Sequence, residues 1–249
     1  MKSLLNPEKT TALTTKDGSQ VVKQTKLSGS GSVVTENNQV GVIFVIDTTG
    51  SMDNKIDGLL KTCSDFVDEA KRLDLDPQFA LISFGDISVQ GGGDAIELVV
   101  TLTSEVEKIK GGLRNIPRNN GFGNTGESAL EAIQEALKIK HRQKSVKVLI
   151  LITDEPALQH HLSANQIIQE LTKREYLVYV IATNEPYYKQ MATKNGGVWK
   201  EIDTNTSLND LLELFRNMAQ KVAQTAKAVY QYGNGSVSQY LALKDSNKK

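Results

Sequence analysis

The chain of 249 residues has one cysteine, Cys63. No intrachain disulfide is therefore possible, and a zinc site built on several thiolates is excluded. Cys63 falls on the apolar stripe of a helical pattern, so a buried structural thiol is expected. There is no excess of either charge: Lys plus Arg and Asp plus Glu both number 29. That balance removes the bulk electrostatic basis for binding nucleic acid or an anionic membrane. No apolar run approaches the about 20 residues of a membrane helix. Met1–Thr15 is polar and lacks the apolar centre of a signal peptide. These absences point to a soluble, cytoplasmic protein. No Gly-x-x-x-x-Gly-Lys loop, serine-nucleophile elbow or HExxH stretch occurs, and no repeat of solenoid period.

What is present is an alternation of strand and helix. Residues 1–39 are rich in Lys, Thr, Ser, Gly and Asn and read as a polar arm that can add an edge hairpin. Val40–Ile46 is an unbroken apolar, mostly β-branched run, suited to a strand buried on both faces. Met52, Ile56, Leu59, Leu60, Cys63, Phe66, Val67 and Ala70 then recur at helical spacing. Further strands are expected over 79–84, 95–102, 146–152, 176–182 and 197–202. Helices are expected after the Ser104/Glu107 and Ser163/Gln166 capping boxes, over 129–137, and as a closing helix over 207–229. From Tyr232 the chain reads as a flexible tail apart from a short apolar patch, Tyr240–Leu243. The pattern predicts an α/β, Rossmann-like, open and mostly parallel sheet with helices on both faces.

Two of the buried strands end in an aspartate, Asp47 and Asp154. A carboxylate there is costly unless something pairs with it, and open α/β sheets place ligands at that edge. Asp47, Thr49 and Ser51 alternate, so their oxygens can converge. A glycine-rich loop, 121–126, brings Asn124 and Thr125 to the same edge. Two carboxylates with several neutral oxygens suit Mg2+, with Mn2+ or Ca2+ as alternatives. The bland reading is that Thr49 and Ser51 cap the following helix. Asp86 is expected to cap a turn or support the site, His160-His161 to be solvated or packed, and Trp199 to be a packing residue.

Asp47-Thr48-Thr49-Gly50-Ser51-Met52 resembles the Asp-x-Ser/Thr-x-Ser signature of von Willebrand factor type A (vWA) domains. Thr153-Asp154 after a hydrophobic strand matches that family's last ligand. The hexapeptide is similar to the branch found in intracellular and bacterial proteins, and the resemblance spans about residues 40–231. It implies a vWA fold and a metal-ion-dependent adhesion site (MIDAS). Asp47, Thr49, Ser51 and Asp154 would be ligands, with Asn124 at the family's threonine position and Thr125 one residue later. A protein partner would then supply an Asp or Glu to the ion. The alternatives are a metal-free scaffold and a Mg2+-dependent phosphohydrolase. The second places a carboxylate where this chain has Thr49, so the expectation is a binding module and not an enzyme.

Overall fold

The computed structural model describes residues 38–88, 96–116, 118, 126–159, 161–203 and 205–246. The arm expected over 1–39 lies outside these residues except for Asn38 and Gln39. Six strands form one sheet: β1 (Gln39–Asp47), β2 (Asp76–Phe84), β3 (Glu97–Thr103), β4 (Val146–Thr153), β5 (Tyr176–Ala182) and β6 (Trp199–Glu201). Their spatial order is β3-β2-β1-β4-β5-β6. All neighbouring pairs are parallel except β2 and β3.

The apolar run of β1 occupies the middle of the sheet because it can be buried on both faces. Alternation sends Val42, Phe44 and Ile46 into one core layer and Ile43 and Val45 into the other. The first layer is covered by α1 (Asp53–Arg72), α2 (Val106–Asn115), α6 (Leu208–Gly233) and α7 (Val237–Ser246). The second is covered by α3 (Ala129–Ala136), α4 (Ala164–Lys173) and α5 (Pro186–Lys194). Phe44 meets the edge of Phe66 from α1 and stacks on Phe79 of β2, with ring centroids 5.1 and 6.1 Å away. Those rings tie helix to sheet beneath the site.

The α/β sheet with helices on both faces is the expected one. Several local expectations change. The Ser163/Gln166 capping box of α4 is formed, but α2 takes Glu105 as its N-cap and receives no side-chain cap. Thr103 Oγ1 accepts from the Glu105 amide instead, so Ser104 is displaced from the capping position. β2 begins at Asp76, ahead of the expected start, and carries Pro77. Helix α5 was not foreseen: Pro186 at its first position presets the turn, but its apolar face is short. The segment read as a tail contains α7, whose Val237 is buried.

The order 3-2-1-4-5-6 reverses direction between β1 and β4. The carboxyl ends of those two strands therefore border the switch-point crevice, the usual ligand position in such sheets. Asp47 and Asp154 are delivered to it.

Candidate functional site

Asp47 is the last residue of β1 and fully buried. Such a carboxylate is tolerated only with donors around it, and it has three. The Thr49 amide (2.9 Å) and hydroxyl (2.7 Å) donate to Oδ1, and the Thr153 hydroxyl donates to Oδ2 at 2.7 Å. Burial nonetheless pushes the Asp47 carboxyl up to about 6; the Thr153 and Thr49 donors oppose this, and the nearby charge of Asp154 adds to it.

The turn that makes this possible is local. The Thr48 amide donates to the Phe84 carbonyl at 2.9 Å, extending the β1–β2 ladder by one residue. The chain then bends through a single 3-10 turn, Gly50–Met52, closed by the Met52 amide on the Thr49 carbonyl. Neither that turn nor α1 has a side-chain cap. The Thr49 and Ser51 hydroxyls point into the crevice instead, against the bland capping reading. Thr49 Oγ1 lies 3.5 Å from Ser51 Oγ, which donates to Asp154 Oδ1 at 2.8 Å.

The other oxygen of Asp154 is held by a residue that sequence reasoning passed over. Lys55, from the first turn of α1, places its ammonium 3.1 Å from Asp154 Oδ2 and donates to the Ser51 carbonyl at 2.9 Å. Both side chains of the pair are 0% exposed. A lysine is almost never buried to this degree without a partner. The signal was available: Met52, Lys55, Ile56 and Leu59 are spaced i, i+3, i+4, i+7, so Lys55 stands within the apolar stripe rather than on the wet face.

Asn124 and Thr125 lie outside the described residues. The end of their loop is held at the same edge: the Glu127 amide donates to the Pro156 carbonyl, and the Leu158 amide to the Glu127 carbonyl, both at 2.9 Å. Gly126 precedes this bridge with φ +115°, a conformation a side chain rarely adopts; a Cβ there would also crowd Leu158 and the Pro156 carbonyl. Asp86 is buried and accepts from the Ser88 amide (2.8 Å) and hydroxyl (2.7 Å), which caps the turn after β2. His160 is outside the described residues, and His161 is exposed. Trp199 sits on strand β6 under the Lys189 ammonium, 4.4 Å from its ring centroid. Cys63 is buried, with its thiol pushed up by burial.

The site thus joins Asp47, Thr49, Ser51 and Asp154 through hard oxygen contacts. By donor type they fit a small divalent cation. By charge the cluster is partly compensated already, since Lys55 neutralises one of its two carboxylates. Among the described residues no three His, Cys, Asp or Glu side chains converge as a metal cluster.

A doubly wound α/β domain with an oxygen cluster at its switch point defines a class of protein, and the comparisons agree with it. The family model of the von Willebrand factor A domain matches residues 41–231, and the chain belongs to that family. No curated protein sequence matches it significantly. Among solved structures, it is similar to the conserved hypothetical protein BatB from Bacteroides thetaiotaomicron, with TM-score 0.56 and 18% identity over 76% of this chain and 99% of that one. Proximal thread matrix protein 1 from the mussel byssus gives 0.53 and 18%, covering 75% of this chain and 46% of that one. A von Willebrand factor type A protein from Catenulispora acidiphila gives 0.55 and 19%, covering 75% and 43%. At these identities the likeness is one of fold. No helix among the described residues is long and apolar enough to cross a membrane.

Proposed function

We propose that the chain is a non-catalytic protein-interaction module, and that the crevice edge around Gly50 and Ser51 is the face it presents. The observation that carries this reading is the buried Lys55–Asp154 pair. It compensates the oxygen cluster from within the chain, so the edge is a finished structural surface that needs no added ion to hold together. Gly50 and Ser51 are exposed at its centre, where open α/β sheets meet their ligands. Thr49 occupies the position at which a phosphohydrolase needs a second carboxylate, and its hydroxyl is spent on Asp47. The hexapeptide Asp47–Met52 supports placing the chain in the intracellular or bacterial branch of the family, and a lone buried thiol is in keeping with the cytoplasm.

A second reading is favoured by the convergence of Thr49 Oγ1, Ser51 Oγ and the two carboxylates. In it, Asp47, Thr49, Ser51 and Asp154, with Asn124 or Thr125, hold Mg2+, Mn2+ or Ca2+, and a partner's Asp or Glu completes the coordination. The ion would supply a Lewis-acid bridge between two oxygen-rich surfaces.

Affinity capture from the source extract separates the two, using wild type and Ser51→Arg, each with and without chelator. The module reading expects the same partners with chelator and their loss in Ser51→Arg, whose bulk covers the exposed edge. Loss on chelation with recovery in Mg2+ would establish the metal bridge instead. Asp47→Ala is a poor probe, because it strips three donors of their acceptor and damages the turn itself.

A further inference from the structure

We propose that Lys55 is a tethered competitor of divalent cations: its ammonium takes the charge-compensating role of an ion on Asp154, and an ion that takes Asp154 as a ligand must displace it. The inference rests on reading Asp47, Thr49, Ser51 and Asp154 as one site.

The geometry carries it. Asp154 has two oxygens, and both are engaged by a single turn of the chain. Ser51 Oγ donates to Oδ1 at 2.8 Å, and Lys55 Nζ lies 3.1 Å from Oδ2. Lys55 Nζ is held on its other side by the Ser51 carbonyl at 2.9 Å. The hydroxyl that would be offered to an ion and the carbonyl that anchors the ammonium therefore belong to the same residue. An ion on Ser51 Oγ and Asp154 Oδ1 would share one carboxylate with a fixed ammonium. With the Lys55 and Asp154 side chains both 0% exposed, water screens that repulsion only weakly. Nor can the ammonium simply step aside. Lys55 is 1% exposed and shares the apolar stripe of α1 with Met52, Ile56 and Leu59, all at most 1% exposed, so withdrawal of the ammonium requires the packing around it to open. Lysine suits the role because its charge is compact and its donors can be satisfied in a small space. The family's donor oxygens are thus present here together with an internal cation, and affinity for an external one is set by Lys55.

The test is calorimetric and thermal titration of the full chain with Mg2+, Mn2+ and Ca2+, comparing wild type with Lys55→Met and Lys55→Gln. Removing the charge is expected to tighten binding of at least one ion by roughly tenfold or more. The neutral variants melt below wild type without ions and regain stability on adding them, by a larger shift than wild type shows. Equal affinities in wild type and neutral variants, absence of binding in all of them, or weaker binding without Lys55 would each overturn the proposal. Should the neutral variants fail to fold, wild-type crystals soaked in Mn2+ give the answer by anomalous scattering. Mn2+ on Asp154 with Lys55 still at ion-pair distance refutes the competition. Mn2+ accompanied by a displaced Lys55 supports it, and no Mn2+ on Asp154 at saturating concentration counts against it. Failure here is distinct from failure of the module reading. Chelator-sensitive capture by wild type would sink the metal-free module yet leave tighter binding in Lys55→Met intact, whereas chelator-insensitive capture with unchanged ion affinity would do the reverse.

Discussion

Single residues at the crevice do two jobs, holding the fold and shaping the surface, and substitutions can tell them apart. Asp154→Asn leaves the Lys55 ammonium buried against a neutral amide. Breaking one half of a buried pair costs about 3–5 kcal/mol, so chemical denaturation should show a loss of that order. A loss under about 1 kcal/mol would mean that the pair is solvated in solution. Gly41 tests packing at the other end of β1. A Cβ there would overlap the His141 ring, and that ring is anchored by a 2.9 Å contact between Nε2 and the Tyr176 hydroxyl. Gly41→Ala should therefore destabilise by about 1–3 kcal/mol, and most of that loss should disappear in a His141→Ala background. At this scale the meeting of Asp47, Thr49, Ser51 and Asp154 at one sheet edge was legible from strand-end position and spacing, while Asn124 and Thr125 lie outside the described residues. Lys55 is less legible because a lysine normally stands on the wet face of a helix, although its register places it inside.

At the scale of elements, strands buried on both faces were easiest to read, since an apolar run too short to cross a membrane has no other home than the core. The short elements were harder. α5 has only three buried positions, Tyr188, Met191 and Ala192, and β6 is three residues long, so neither leaves much periodic signal. α7 has its apolar residues gathered in one patch, Tyr240–Leu243, with no helical period to mark it. It is held by contacts that only the fold supplies: Tyr240 packs over Gly233, Leu241 over Gly196, and the Ser236 and Ser238 hydroxyls donate to Glu175. The Ser238 hydroxyl is the main reason the Glu175 carboxyl is held below its ordinary range. Deleting 237–249 uncovers Val237's site and half-buried apolar surface around it, and should cost about 2–4 kcal/mol. Urea denaturation of the truncated chain checks this; an unchanged midpoint would mean that α7 contributes nothing to the domain's stability.

For the whole molecule, pH supplies a test that joins distant parts. Burial, with Lys147 beside it, holds the His141 imidazole down at about 4 against an ordinary 6.5. A depressed pKa means the unfolded chain binds the proton more readily. His141 therefore contributes stability that is fully present above pH 6.5 and is lost as pH falls through about 4. Because His141 is only partly buried, the loss attributable to it is of order 1–2 kcal/mol. Asp47 has the opposite sign, since its raised carboxyl favours the fold as pH drops. Comparing denaturation of wild type and His141→Gln from pH 7 to pH 4 isolates the histidine: the variant should lose less stability across that window. Identical slopes would show that His141 titrates normally in the fold.

What the sequence by itself determined was the alternating architecture and the delivery of two aspartates and two hydroxyls to one sheet edge. Periodicity and strand ends are local, and they survive without knowledge of neighbours. The tertiary structure alone decided how the charge at that edge is compensated. Residues 55 and 154 are far apart in the chain, and no local pattern states that they meet. They meet because β1 and β4 lie side by side at the point where the sheet reverses its order, which brings the first turn of α1 against the end of β4 and closes a buried ion pair between them.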